Sequence, residues 1–283
     1  MQLILGNPIA KNILESVGRR LRLAKADPGL AVIMIGDDPA SKIYVGLKEK
    51  AAHVVGMRFE KYLLPVESPM KAVLQLINEL NERSDIHGII VQLPLPVTLD
   101  PDTVISAVRK DKDADGFHPD TIAKYVSTGT GAPPVFPRAI LALLASTGLS
   151  LSGMRACIFA NSALFARVVS TALGQIGVQA DSSPTLDNRT FEERLSLADI
   201  IISARGEPGF LKRSMVGPGA IIIDGGITRV GERVVGDVDL ESFGDFKGRI
   251  APVPGGVGPV TVALLIARTA ELALREDFDE SIL

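Results

Sequence analysis

The stretch Leu30-Ala-Val-Ile-Met-Ile35, continued by Gly36-Asp-Asp-Pro-Ala-Ser-Lys-Ile-Tyr44-Val-Gly-Leu-Lys48, decides the fold. Its first half is a short apolar run rich in aliphatic residues, which reads as a buried strand. Its second half carries Ile43, Leu47, Ala51, Val54 and Val55 at helical spacing, so a helix over 41–55 follows the strand. The same alternation recurs along the chain. Apolar runs at Gly88–Leu93, Arg155–Phe159, Ile200–Ser203 and Ala220–Asp224 read as strands, and 69–83, 163–176, 190–197 and 259–274 read as helices. Strands that alternate with helices predict parallel α/β sheets.

A chain of 283 residues exceeds the usual size of one hydrophobic core, which favours two domains. A hydrophobic fraction of 46% with 22% charged residues excludes a disordered or collagen-like chain. Lys and Arg number 30 against 33 Asp and Glu, with no long block of one sign, which argues against nucleic acid or an acidic membrane as a partner. The single Cys157 cannot form an internal disulfide or a cysteine-based zinc site, and no metal is expected. The N-terminal run lacks a basic start and is broken by Gly6 and Pro8, so no secretory signal is expected. The apolar stretch Val260 to Leu274 is interrupted by Arg268 and Glu271, so no membrane span is expected either. A cytoplasmic protein fits these features. The charged stretch 109–116 and the Gly/Pro-rich stretch 129–137 mark the domain boundary.

Chemistry concentrates in four segments. In Gly36 to Lys48, Tyr44 and Lys48 are four apart and share a helical face. They are either a surface pair or the wall of a crevice at a sheet's carboxyl edge. Gly88-Ile-Ile-Val-Gln92-Leu-Pro-Leu-Pro96 ends an apolar run in an amide, which either caps the strand or points into a site. Asp111-Lys-Asp-Ala-Asp115-Gly-Phe-His118 is either a solvated hinge or a place where Asp115 binds an amino-substituted heterocycle through paired hydrogen bonds. Pro252-Val-Pro-Gly-Gly-Val-Gly-Pro259 combines backbone freedom with rigidity, a combination suited to a ligand-binding loop.

Together the four segments, in this order and spacing, resemble the bifunctional methylenetetrahydrofolate dehydrogenase and methenyltetrahydrofolate cyclohydrolase family of one-carbon metabolism. The resemblance spans nearly the whole chain. It implies two α/β domains, 1–118 plus 260–283 and 119–259, the second Rossmann-like, with a folate cleft between them and a homodimeric assembly. It implies Lys48 as the catalytic amine, Gln92 as its hydrogen-bonding partner and Tyr44 as the ring against a tetrahydrofolate substrate. Asp115 would anchor the pterin, with Leu93, Pro254, Gly255 and Gly256 as further folate contacts. A dinucleotide, NADP or NAD, would meet Ala160, Asn161 and Ile227.

One segment departs from the family pattern. The phosphate turn reads Phe159-Ala-Asn-Ser-Ala-Leu-Phe165-Ala-Arg167, with phenylalanine where each glycine is expected and no Arg or Lys in 159–165 to meet a 2′-phosphate. Glycines there let the backbone approach the pyrophosphate. The expectation is therefore a cyclohydrolase with weak or absent dinucleotide binding. The alternatives are the full bifunctional enzyme and a non-catalytic folate-binding homologue.

Overall fold

The computed structural model describes residues 1–181, 188–231 and 233–278, with the side chains of 181 and 188–191 outside the description. The elements run β1 (Gln2–Leu3), α1 (Gly6–Ala24), β2 (Gly29–Ile35), α2 (Pro39–Val55), β3 (Arg58–Leu64), α3 (Met70–Glu82), β4 (Gly88–Val91), α4 (Pro101–Ser106), α5 (Pro119–Thr128) and α6 (Val135–Ala145). They continue with β5 (Arg155–Ala160), α7 (Ala163–Gln175), β6 (Gln179–Asp181), α8 (Asn188–Leu197), β7 (Ile200–Ala204), β8 (Ile221–Asp224), β9 (Thr228–Val230), β10 (Arg233–Val235), β11 (Arg249–Ala251) and α9 (Val257–Leu274). The chain forms two compact units, one of residues 10–123 and 262–283, the other of 1–9 and 124–261.

The unit of 10–123 and 262–283 is built on a parallel sheet of order β3-β2-β4. Every residue of the central β2 is buried, as its unbroken apolar run requires. Ala31, Ile33 and Ile35 alternate onto one face and pack with Ile89 and Val91 of β4 and with Val73, Ile77 and Leu80 of α3. In α2 the buried side chains are Ser41, Val45, Lys48, Ala51, Ala52 and Val55, while Ile43, Leu47 and Val54 are exposed. The helix therefore turns inward a stripe of small residues, Val45 and one lysine, and leaves outside three of the apolar positions that periodicity assigns to the core.

Residues 109–116 stay with the unit of 10–123, as in the sequence division, and Asp113 bridges to Ile89 of β4. One segment sits differently. Met1–Ile9 joins the other unit, since β1 pairs in parallel with β11, Gln2 opposite Arg249 and Leu3 opposite Ile250. A two-residue strand with both side chains exposed leaves no apolar signature to read.

The second unit carries a parallel six-stranded sheet of order β1-β11-β8-β7-β5-β6. From β5 the chain crosses through α7 to β6 on one side and returns through α8 to β7 on the other. The carboxyl ends of β5 and β7 thus flank the topological switch point, the place where open α/β sheets bind ligands. The apolar helix α9 is long enough to cross a membrane, but 61% of its 18-residue window is buried inside the protein, as in a core helix.

Candidate active site

In the first unit the switch point lies between β2 and β4, whose chains leave the sheet through α2 and through the Gln92–Pro96 loop. Helix α2 starts sharply there. Asp38 accepts from the Ser41 N–H at 2.7 Å and Pro39 takes the first turn, where its missing N–H costs nothing. At its other end Gly56 stops the helix at φ 79°, a left-handed conformation that glycine adopts without strain. The start fixes which residues face the carboxyl edge, and these include Tyr44 and Lys48.

Lys48 is buried, and its Nζ donates to Gln92 Oε1 at 2.9 Å. Gln92 is held in turn. Its backbone N–H continues the ladder to Ile33 O at 2.8 Å, and its Nε2 donates to the Leu93 carbonyl at 2.7 Å. The amide nitrogen's bond to Leu93 orients the side chain so that its oxygen faces the lysine. The Ser41 hydroxyl reaches the same Leu93 carbonyl at 3.4 Å, tying α2 to the loop. Leu93 itself is 40% exposed.

Asp115 follows the bridge of Asp113 to Ile89 by two residues and lies within electrostatic reach of Lys48. The Asp113 carboxylate shapes this loop by accepting from Gly116 N at 2.9 Å and His118 N at 2.7 Å. Asp113 was not singled out from sequence, although aspartate three residues before glycine is a recognisable turn signal. Burial pushes the Asp115 carboxyl upward, against the pull of Lys48 and with the push of Asp113. Burial lowers the Lys48 amine, and Asp115 opposes that shift. Burial also raises the Tyr44 phenol, which keeps it neutral. A buried amine of lowered basicity, fixed to an amide and set near a carboxyl group, is equipped to accept and return a proton.

Pro254, Gly255 and Gly256 belong to the other unit. Gly6 N donates to Gly255 O at 2.7 Å, Gly256 N donates to Pro252 O at 2.8 Å, and Gly255 stands at φ 101°. A Cβ on Gly6 would fall on the Gly256 carbonyl oxygen, so the close approach of these two segments requires glycine.

At the β5–α7 turn, Ser162 caps α7 by accepting from Phe165 N at 3.2 Å, and Ala160 and Asn161 precede it with Asn161 exposed. The Phe159 ring packs onto the core cluster and lies 6.4 Å from the Phe210 ring, while Phe165 meets Phe136 edge-on at 5.2 Å. The Arg205 guanidinium stacks 4.6 Å from the Phe210 centroid and pairs with Glu207. Ile227 is exposed just past β8. The remaining N–H groups at the start of α7 suit a pyrophosphate, but the turn offers no cation to a 2′-phosphate. Beneath it, buried Asp237 accepts from Ser203 Oγ, Arg205 N and Glu207 N, and buried Asp224 accepts from Gly226, Asp237 and Val238 N–H groups. Among the described residues no group of three His, Cys, Asp or Glu forms a metal set.

Two parallel α/β units, one of them an open, doubly wound sheet, place the chain in the class of α/β proteins with ligand sites at sheet carboxyl edges. Residues 4–115 match the tetrahydrofolate dehydrogenase/cyclohydrolase catalytic domain, and residues 134–277 match the NAD(P)-binding domain of the same family. The chain belongs to this family. It is 39% identical over 252 residues to the bifunctional protein FolD of Geotalea daltonii, covering 88% of this chain and 89% of the relative. The bifunctional FolD of Campylobacter jejuni superposes with a TM-score of 0.89 at 35% identity, covering 97% of this chain and 99% of that one. The Trypanosoma brucei enzyme, crystallised with NADP and an inhibitor, gives a TM-score of 0.88 at 30% identity over 96% of this chain and 97% of that one.

Proposed function

We propose that the chain hydrolyses 5,10-methenyltetrahydrofolate, with Lys48 as the proton-transferring group. The observation that carries this reading is the 2.9 Å bond from the buried Lys48 amine to Gln92, within electrostatic reach of Asp115. Water adds to the electrophilic amidinium carbon, one carbon–nitrogen bond breaks, and the products are a formyl amide and one released proton. The neutral amine takes a proton from the attacking water and returns one to the departing nitrogen. A cationic substrate next to Lys48 lowers its basicity further, and Gln92 holds the amine in place throughout. Asp115 accepts from the amino-substituted pterin edge, and the Tyr44 ring, with Leu93, flanks the folate.

The second reading keeps the dehydrogenase as well, with a dinucleotide at Ala160, Asn161 and Ile227. The comparisons back this two-activity reading better than a cyclohydrolase alone, because the NAD(P)-binding model matches 134–277 and the relatives are bifunctional. Weak or absent NADP binding rests on the turn alone, where Phe159, Ala160 and Phe165 leave neither glycine nor cation. The Asp181 side chain, which would favour NAD over NADP, lies outside the described residues. A homodimer in the cytoplasm completes the proposal.

A paired assay tests it. Purified protein should hydrolyse methenyltetrahydrofolate well above the buffer rate, and hydrolysis at the buffer rate would overturn the Lys48 assignment. Methylene oxidation with NADP or NAD, measured on the same sample beside calorimetric titration, separates the two readings. Micromolar NADP affinity with oxidation establishes the bifunctional one.

A further inference from the structure

Helix α9 brings an arginine to the loop that carries Asp115. Gly88 permits this, because a Cβ there would lie 2.8 Å from Thr269 Oγ1 and 3.2 Å from the Ala114 Cβ, so helix, β4 and loop pack with no space for a side chain. At that approach Arg268 Nε donates to the Asp113 main-chain carbonyl at 3.1 Å. Asp113 is then fixed from several sides. Its carboxylate holds Gly116 and His118, its neighbour Ala114 donates to Ile89 O at 3.4 Å, and its carbonyl holds Arg268.

Three charged groups face Asp115: Lys48 from α2, Asp113 from its own loop and Arg268 from α9. Asp115 must be ionised to accept from an amino-substituted ring, and a cation beside it favours the carboxylate. A guanidinium supplies that charge without titrating in the working range. We infer that Arg268 is a positioning residue of the cyclohydrolase site, fixing the Asp115 loop through the Asp113 carbonyl and supplying standing positive charge beside the substrate-binding carboxylate. The inference rests on the hydrolase reading above for its kinetic consequence but not for its electrostatic one.

The test compares the parent with Arg268→Gln and Arg268→Lys. Carbon-13 NMR follows the Asp115 carboxyl titration in the unliganded proteins, and methenyl hydrolysis is measured across pH. Loss of the cation disfavours the carboxylate, so in Arg268→Gln the Asp115 midpoint rises above the parent's. The acid limb of kcat/KM moves up with it, and KM rises while the melting temperature stays near that of the parent. Arg268→Lys returns both the midpoint and the limb towards the parent. An Asp115 midpoint unchanged in a folded Arg268→Gln protein overturns the inference. So does an Arg268→Lys protein whose midpoint rises away from the parent's, which also decides the matter if the glutamine variant does not fold. Absence of hydrolysis by the parent counts against the hydrolase reading, while the carboxyl titration still decides the part played by Arg268.

Discussion

Replacing Lys48 with methionine removes the amine while keeping a straight side chain of similar reach in a position only 8% exposed. The packing of α2 is therefore retained, and the loss is the hydrogen bond to Gln92 and the proton-transfer group. A positioned acid–base group contributes roughly 10²- to 10⁴-fold in rate. That range corresponds to about 2.7 to 5.4 kcal/mol of transition-state stabilisation. The released Gln92 oxygen adds a stability cost of about 1 kcal/mol. Lys48→Met is expected to lower kcat for methenyl hydrolysis by ~100- to 10,000-fold. KM should change only a few-fold, since Asp115 and Tyr44 remain to hold the folate. The assay follows the loss of methenyl absorbance, with a thermal melt to establish folding. The parent's pH profile carries the same logic. Burial lowers the Lys48 amine, so the fraction able to accept a proton rises with pH around a midpoint below the ordinary lysine value. A folded Lys48→Met protein with kcat within tenfold of the parent would refute the role of the amine.

Other substitutions probe the surroundings. Asp115→Ala should weaken folate binding by about 10- to 100-fold, the worth of a charge-assisted bond, and an unchanged affinity in titration would count against the pterin anchor. Gly6→Ala places a methyl group on the Gly256 carbonyl and should cost about 1 to 3 kcal/mol, visible as a lowered melting temperature. Burial raises the Asp224 carboxyl to about 6, so the protonated form favours the fold. Its contribution is complete below the ordinary carboxylate range and is lost as pH rises through about 6. The melting temperature of the parent relative to Asp224→Asn should therefore fall between pH 4.5 and about 7, and a constant difference would contradict the shift.

The sheets were legible because their strands are buried on both faces and must be apolar throughout. Runs such as Leu30–Ile35 and Ile200–Ser203 coincide with β2 and β7 almost residue for residue. Strands that lack this pressure escaped. The edge strand β3 reads Arg-Phe-Glu-Lys-Tyr-Leu-Leu, and its charges pair with neighbours at the surface, as Lys61 does with Glu49. Helix α1 carries Ala10, Ile13, Val17 and Leu21 at helical spacing, a signal available in the sequence and overlooked. The inward face of α2 was misjudged because Ser41, Val45, Lys48 and Ala52 are spaced as regularly as the apolar residues beside them, and close packing against the sheet selects small side chains over larger ones. The site fared better. Lys48 and Gln92 were named from segments 44 residues apart and meet in one hydrogen bond. Arg268 was not found, since an arginine within an apolar helix reads only as an interruption until the helix is laid beside Asp113.

The central claim is that Lys48 is an amine of lowered basicity built into the first unit, and nitrogen-15 NMR of its side chain tests this most directly. The account predicts a titration midpoint for the Lys48 amine clearly below the ordinary lysine value of about 10.4. A midpoint at or above that value would show an ammonium held by Asp115 throughout the working range, unable to accept a proton from water, and would contradict the account.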